Sequence, residues 1–226
     1  MRNIVAVIGA GRMGSAIAKQ LPKETQKIII DRDLSTAKMV ASEVIGEYNS
    51  DLQDAKDADL VLLVLPPLAV EETIEKLASM MKSNSVIVNL ATSANIDEKY
   101  SKRREDLSFI DAKIIGNADA LKNGDPCIVV VKCDNPEIIA MLKKQFPSFY
   151  KVEQGNASLV ETINTISTEE ALKAAFSIKK ELEEKNIPED WKNVAIGTVC
   201  TWTIKSFLKG DLGPFGRNIV KRLESG

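Results

Sequence analysis

The start of the chain carries the pattern that most limits how the protein can fold. An apolar run, Ile4–Ile8, is followed by a glycine-rich loop, a stretch of small residues and a second apolar run that ends at Asp31. The loop contains Gly9, Gly11 and Gly14 in the spacing Gly-x-Gly-x-x-Gly. The first glycine permits a tight turn, the second lets the backbone approach a pyrophosphate, and the third lets a helix pack closely on the strand. The pattern therefore predicts a strand, a helix and a second strand of a parallel α/β sheet.

The same stretch predicts a dinucleotide-binding site. Asp31 lies twenty residues beyond Gly11, where this fingerprint places a carboxylate for the ribose hydroxyls. The backbone amides at the helix start face the phosphates with about half a unit of positive charge from the helix dipole. The alternative is a tight turn that binds no ligand. The predicted cofactor-binding residues of this stretch are Gly9, Ala10, Gly11, Arg12, Met13, Gly14, Asp31 and Arg32.

The charged residues of this stretch do not decide between NAD and NADP. Asp31 favours NAD, because a carboxylate binds the ribose hydroxyls and repels a 2′-phosphate. Arg32 and Arg12 are positioned in the sequence to attract that phosphate. NAD is therefore favoured only slightly.

Composition excludes several other classes of protein. The chain has no histidine, which excludes any mechanism that needs an imidazole acid, base or metal ligand. Its net charge of −2, from 30 basic and 32 acidic residues, argues against a nucleic-acid binder, and its three cysteines lack metal-site spacing. The longest apolar run is too short to span a membrane, and because the first residues already read as a strand we expect no signal peptide. We therefore expect a cytoplasmic protein without a metal site.

Two further strands end in segments that we expect near a nicotinamide ring. The apolar run 58–65 stops at two prolines, which predict a loop, and a helix is predicted from about Val70. A strand over 85–90 ends in small and hydroxyl-bearing residues. In a doubly wound sheet both segments lie at the carboxyl edge, where ligands bind. The predicted cofactor contacts here are Leu65, Pro66, Pro67, Ala91 and Thr92, with Ser93 as a candidate substrate contact.

The pattern changes character after the middle of the chain. Strands and helices alternate as far as a last strand predicted over 149–152, with a glycine-bounded polar loop at 116–124. From Ser158 onward only helical spacing remains, with a possible restart where Ser167 and Glu170 have capping-box spacing. We predict a Rossmann-type, doubly wound parallel domain over residues 1–153 and a small helical substrate and dimerisation domain over 154–226. A homodimer through these helices is expected, and a helical cap within a monomer is the alternative.

The motifs resemble those of the 6-phosphogluconate-dehydrogenase-like superfamily of NAD(P)-dependent oxidoreductases. The opening segment Ile8–Ile17 is similar to the start of pyrroline-5-carboxylate reductases. The segment Asp111–Asn117 is similar to the Asp-Ala-Pro-Val-Ser-Gly-Gly strand of the β-hydroxyacid dehydrogenase branch. The resemblance implies an α/β fold with a helical C-terminal part, a nicotinamide cofactor, and substrate contacts near Gly116 and Asn117.

The resemblance also implies a difference in substrate chemistry. β-Hydroxyacid dehydrogenases carry a catalytic lysine followed by an asparagine three residues later, whereas this chain has Glu161 and Asn164. A carboxylate would repel the negative charge that grows on a carbonyl oxygen but would pair with an iminium. We therefore predict Glu161 and Asn164 as catalytic residues, the alternative being that Glu161 is an ordinary exposed helix residue.

Three functions follow from these observations. The first is hydride transfer from NAD(P)H to a small C=N substrate, as in pyrroline-5-carboxylate or imine reductases. The second is a β-hydroxyacid-dehydrogenase-like reaction between C=O and CH–OH. The third is a sensor that binds the nicotinamide dinucleotide without turnover.

Overall fold

The computed structural model describes residues 3–147 and 150–225, and these residues form two compact units. The first unit ends at Asn164 and the second begins at Thr165. This division lies later in the chain than the boundary proposed at residue 153. Residue 149, where the last strand was expected to begin, lies outside the described residues.

The strands of the first unit form one sheet. In chain order they are β1 (Ile4–Ile8), β2 (Gln26–Ile30), β3 (Glu47–Asn49), β4 (Leu60–Leu63), β5 (Val86–Asn89), β6 (Ser108–Ile115), β7 (Cys127–Lys132) and β8 (Tyr150–Gln154). Their order across the sheet is β3-β2-β1-β4-β5-β6-β7-β8. Neighbouring strands are parallel except β6 and β7, which are antiparallel. The predicted α/β doubly wound sheet is confirmed, except that β7 and β8 run in the opposite direction to the other six strands.

Helices cover both faces of this sheet. They are α1 (Arg12–Gln20), α2 (Leu34–Val44), α3 (Pro67–Met80), α4 (Lys99–Arg103), α5 (Ala118–Lys122) and α6 (Pro136–Gln145), with a 3₁₀ helix at Leu52–Ala55. Alternate residues of β1 point to opposite faces. Val5 and Val7 join an apolar cluster with residues of α1, α2, α5 and α6, and Ala6 joins a second cluster with residues of α3 and α4.

Two sequence expectations about loops are wrong. Residues 116–124 are not only a loop, because the Asn117 side chain accepts the amides of Asp119 and Ala120 and so begins α5. The two prolines do not begin a loop. Pro66 is the N-cap of α3 and Pro67 is its first residue, since a proline needs no amide partner in the first helical turn.

The last part of the chain is helical. It contains α7 (Leu159–Glu183), which begins in the first unit, then α8 (Glu189–Val194), a π-helical segment (Ala195–Cys200), α9 (Thr201–Leu208) and α10 (Pro214–Glu224). Helix α7 is continuous, so the restart expected at Ser167 is wrong. Ser167 and Glu170 are both exposed, and Glu170 pairs with Lys173 at 2.7 Å instead of capping the helix. Within the described residues, every helix falls short of the length or apolar content needed to cross a membrane.

Candidate dinucleotide-binding site

The glycine loop joins β1 to α1, and its geometry separates the glycines needed for folding from the one that faces open space. Gly9 has a φ of +99°, and a Cβ there would lie 2.2 Å from the carbonyl oxygen of Val64. A Cβ at Gly14 would lie 1.7 Å from the carbonyl oxygen of Gly9. By contrast, a Cβ at Gly11 would meet no heavy atom within 4 Å. The loop therefore has room for close approach at the glycine that the fingerprint assigns to the pyrophosphate.

The start of α1 is open to an anion. Gly11 is the N-cap and has no side chain to cap the helix, and its carbonyl oxygen accepts the Ser15 amide at 2.8 Å. The first turn of α1 carries no acidic side chain. The first amides of a helix have no acceptor within that helix, and the helix dipole makes this end positive. These features fit the diphosphate of a dinucleotide.

Asp31 lies directly after β2 and is held by the loop. One oxygen of its carboxylate accepts the Ala10 amide at 2.7 Å, and the other accepts the Asp33 amide at 3.0 Å. A carboxylate has about four acceptor positions, so further hydroxyl groups can still bind to it. Arg32, the next residue, is exposed. The carboxylate is therefore fixed in orientation beside the glycine loop and partly open to solvent.

An ion pair crosses from α1 to α5. The Arg12 guanidinium donates to the Asp119 carboxylate at 2.6 Å, although both side chains are more than half exposed. Exposed pairs of this kind contribute little to stability. The ion pair therefore holds Arg12 near the helix start, and breaking the pair costs little free energy.

A cleft of about 330 Å³ lies beside the glycine loop at the carboxyl ends of β4 and β5. The strand order reverses between β1 and β4, and such a switch point is where α/β sheets bind ligands. Two larger and more open hollows lie elsewhere, around α6 and β8 and around β6 and β7. The residues lining the cleft are Met13, Val64, Leu65, Pro67, Leu90, Ala91, Thr92, Ser93, Ile114 and Gly116.

The structure brings part of the predicted site together in this cleft. Seven of the lining residues are sequence-predicted site residues, and three, Val64, Leu90 and Ile114, are additional apolar residues. Pro66 and Asn117 serve instead as helix N-caps. Val64 and Leu90 could have been found from their position at the ends of the apolar strands predicted over 58–65 and 85–90.

The two predicted catalytic residues lie in the first part of α7. The Asn164 amide group donates to the carbonyl oxygen of Ile114 at 2.9 Å, which ties α7 to β6. Glu161 is exposed, and its negative charge partly opposes the lowering of the Lys113 pKa that burial causes. In the part of the chain that the structure describes, neither residue lines the cleft. Their catalytic role stays a prediction.

Sequence reasoning missed a buried charge beside the cleft. Lys113 lies on β6 with its side chain fully buried, and its ammonium donates to the carbonyl oxygens of Ala91 and Ala94. Burial lowers the pKa of Lys113, while Asp111 and Glu161 oppose that change. The available signal was an acidic and a basic residue, two positions apart, in a strand that is otherwise apolar.

Comparison with known proteins finds oxidoreductases similar to the N-terminal region. Residues 4–93 match the family model described as NADP oxidoreductase, coenzyme F420-dependent. Pyrroline-5-carboxylate reductase 1 of Dictyostelium discoideum is 25% identical over 115 residues, which cover 49% of this chain and 21% of that protein. The chain thus aligns with only about a fifth of that relative's length.

Solved structures extend the likeness in fold to the whole chain. A pyrroline-5-carboxylate reductase from Coxiella burnetii has a TM-score of 0.73 at 15% identity, covering 100% of this chain and 91% of that chain. An imine reductase variant from Myxococcus stipitatus in complex with NAD⁺ has a TM-score of 0.66 at 16% identity, covering 100% and 77%. At these identities the likeness concerns the fold alone. With the match over residues 4–93, it confirms the resemblance to NAD(P)-dependent oxidoreductases that the sequence motifs indicated.

Proposed function

We propose that the protein is an NAD(P)H-dependent reductase that transfers a hydride to a small substrate with a C=N bond, of the pyrroline-5-carboxylate or imine class. The proposal rests on four features that lie together at one edge of the sheet. There an uncapped helix start, an open approach at Gly11, the carboxylate of Asp31 and the cleft of about 330 Å³ occur together. The names of the similar proteins, a pyrroline-5-carboxylate reductase and an imine reductase, support the substrate class.

The residues of this edge have separate tasks in the proposal. The amides at the start of α1 bind the diphosphate, and Asp31 accepts hydrogen bonds from a ribose. Leu65, Pro67 and Ala91 form an apolar wall that keeps water from the nicotinamide end of the cleft. The bound nicotinamide cofactor supplies the hydride. We propose NAD as the slightly favoured form, because Asp31 is fixed beside the glycine loop.

Glu161 gives the proposal its substrate preference. Its carboxylate is exposed at the start of α7 and carries no ion pair in the described residues other than the longer-range interaction with Lys113. A cationic iminium gains from a nearby carboxylate, whereas a carbonyl that becomes negative during reduction does not. We propose that the Glu161 carboxyl group gives its proton to the imine nitrogen, that the resulting carboxylate pairs with the iminium until the hydride reaches the iminium carbon, and that solvent then returns a proton to Glu161. Asn164 positions α7 through its hydrogen bond to Ile114.

Turnover of NADH and NADPH against cyclic imines, 2-keto acids and 3-keto acids tests this function. We expect oxidation of the cofactor with at least one imine, and Glu161→Lys should reduce that rate by about tenfold or more. Glu169→Lys, which makes the same charge change on an exposed position of α7, should leave the rate within about twofold. An equal effect of both variants would remove Glu161 from the mechanism. Turnover of keto acids alone would favour the β-hydroxyacid reaction, and tight binding without any turnover would favour a sensor.

We also propose that the helices after residue 164 form a homodimer. Among the described residues of the second unit, Lys192 alone is buried. Phe176, Trp191 and Phe215 are each more than 60% exposed, and Trp202 and Phe207 are more than half exposed. Aromatic side chains in this number mark an interface, and a second copy of the chain offers the same surface in return. Light scattering on the purified protein should give twice the chain mass of 24.8 kDa, and a monomer at micromolar concentration would reject the dimer.

A further inference from the structure

Three polar side chains are buried together beside the loop 91–96. Asn89 on β5 pairs in register with Asp111 on β6, and Lys113 lies two residues further along β6, on the same face of the sheet. Asn89 and Lys113 are 0% exposed and Asp111 is 8% exposed. Burying a polar side chain costs free energy unless it forms hydrogen bonds. The hydrogen-bond partners of these three side chains therefore indicate which part of the structure they stabilise.

Lys113 and Asn89 both bind the backbone of the loop. The Lys113 ammonium donates to the carbonyl oxygens of Ala91 and Ala94. The Asn89 amide group donates to the carbonyl oxygen of Ala94 at 2.7 Å, and its side-chain oxygen accepts the Ala91 amide at 3.0 Å. Two side chains therefore hold both ends of the segment that contains Thr92.

Asp111 connects these two side chains and holds the end of the loop. Its carboxylate accepts from the Asn89 amide group at 2.8 Å and lies 3.6 Å from the Lys113 ammonium. It also accepts the backbone amide of Ile96 at 3.1 Å. The ammonium is thus matched by a buried carboxylate, and both are hydrogen-bonded to the loop.

The loop itself lacks regular structure. Residues 91–96 belong to no helix or strand, so no ladder of backbone hydrogen bonds fixes their conformation. Yet Ala91, Thr92 and Ser93 form one wall of the cleft beside the glycine loop. The shape of that wall therefore depends on the buried side chains behind it.

Building on the proposed function, we propose that Lys113 is a positioning residue: together with Asp111 and Asn89 it fixes the 91–96 loop as the wall of the cleft that receives the nicotinamide ring. Lys113 acts through backbone carbonyls and does not itself touch the cofactor or substrate. Lys113→Met removes the charge and the donors while keeping an unbranched apolar chain, and Lys113→Arg keeps both charge and donors.

Amide hydrogen exchange of the free protein tests the positioning role without any ligand. In Lys113→Met, peptides that cover 91–96 should exchange at least about tenfold faster than in the wild type, because the loop opens locally. Lys27→Met is the matched control. Lys27 is also buried and donates to two backbone carbonyls, those of Pro22 and Thr25, at 2.8 and 3.2 Å. The control should leave exchange over 91–96 within about twofold of the wild type.

Binding of two probes then tests which part of the ligand depends on the loop. For the more tightly bound of NADH and NADPH, Lys113→Met should raise the Kd by about tenfold. For ADP-ribose, which lacks the nicotinamide ring, the Kd should stay within about twofold, because the glycine loop and Asp31 are unchanged. Lys113→Arg should restore the dinucleotide Kd to within about threefold of the wild type.

The outcomes separate the two proposals. Unchanged exchange over 91–96 in Lys113→Met, or equal weakening of ADP-ribose and the dinucleotide, would overturn the positioning role. A wild-type protein that binds none of the three probes would reject the proposed function, while the exchange comparison would still decide whether Lys113 fixes the loop. If Lys113→Met does not fold, Asn89→Ala takes its place, since it removes the other two bonds to Ala91 and Ala94 and should give the same pattern.

Discussion

Replacing Gly11 with alanine separates ligand binding from the folding of the glycine loop. A Cβ at this position would meet no heavy atom within 4 Å, and the backbone angles, φ −64° and ψ −167°, are ones that alanine adopts readily. Alanine is a poorer N-cap than glycine, but it also lowers the entropy of the unfolded chain, so the free energy of unfolding should change by less than about 1 kcal/mol. The variant should therefore fold as the wild type does.

Binding should respond differently. In the proposed dinucleotide complex the added methyl group would lie where the diphosphate approaches the amides of α1, so the dinucleotide Kd of Gly11→Ala should rise at least about tenfold, or about 1.4 kcal/mol. Gly213→Ala is a closely matched control. Gly213 is the N-cap of α10, has φ −65° and ψ 173°, and a Cβ there would also meet nothing within 4 Å. It should change stability by a similar amount and leave binding unaltered.

Gly14→Ala, by contrast, should destabilise the fold. Its Cβ would lie 1.7 Å from the carbonyl oxygen of Gly9, and a backbone atom cannot move aside as a flexible side chain can. We expect a loss of at least about 3 kcal/mol in the free energy of unfolding. For a chain of this length that corresponds to a fall of about 6–12 °C in Tm.

Fluorescence titration with NADH and NADPH, together with thermal unfolding, measures all three variants. If Gly11→Ala bound the dinucleotide as tightly as the wild type, the diphosphate would not lie against Gly11. If Gly11→Ala and Gly213→Ala lost binding equally, the effect would be general rather than local to the loop.

Further predictions concern the cofactor, the second unit and the buried lysine. Asp31→Ser should lower the ratio of the NADPH Kd to the NADH Kd by about tenfold, because the repulsion of a 2′-phosphate is removed; an unchanged ratio would show that Asp31 does not face that ribose. Trp202→Glu should reduce the mass measured by light scattering from that of a dimer to 24.8 kDa, and a persisting dimer would place the interface elsewhere. Because burial lowers the pKa of Lys113 below 10.5, the unfolded chain binds more protons between the folded-state pKa and 10.5. The free energy of unfolding of the wild type, relative to Lys113→Met, should therefore rise with pH in that window, and urea titrations that show it falling would contradict the shift.

Local patterns explain why the first part of the fold was predictable. The glycine spacing, the apolar runs and Asp31 all lie within a short stretch, and each residue type is required by the backbone or the charge at its own position. The structure then places Gly9 and Gly14 against backbone atoms, as the spacing predicts. The continuous apolar strands likewise pointed to a sheet buried on both faces.

The features that the sequence missed depend on residues far apart in the chain. Arg12 contacts Asp119, 107 residues later, because α5 lies near α1. Asn89 contacts Asp111, 22 residues later, because β5 pairs with β6. Neither pairing follows from spacing alone. The start of α5 was missed for a different reason, since the cap by Asn117 lies in a segment whose glycines and polar residues are typical of a loop.

Titration of the wild-type protein with NADH and with NADPH, followed by cofactor fluorescence and by heat of binding, shows whether the glycine loop binds a nicotinamide dinucleotide. We predict saturable binding of at least one of the two cofactors with a Kd below about 100 μM, and competition by ADP-ribose. Absence of binding by both methods at about 1 mM of either cofactor would contradict the assignment of the glycine loop, and with it the proposed reductase.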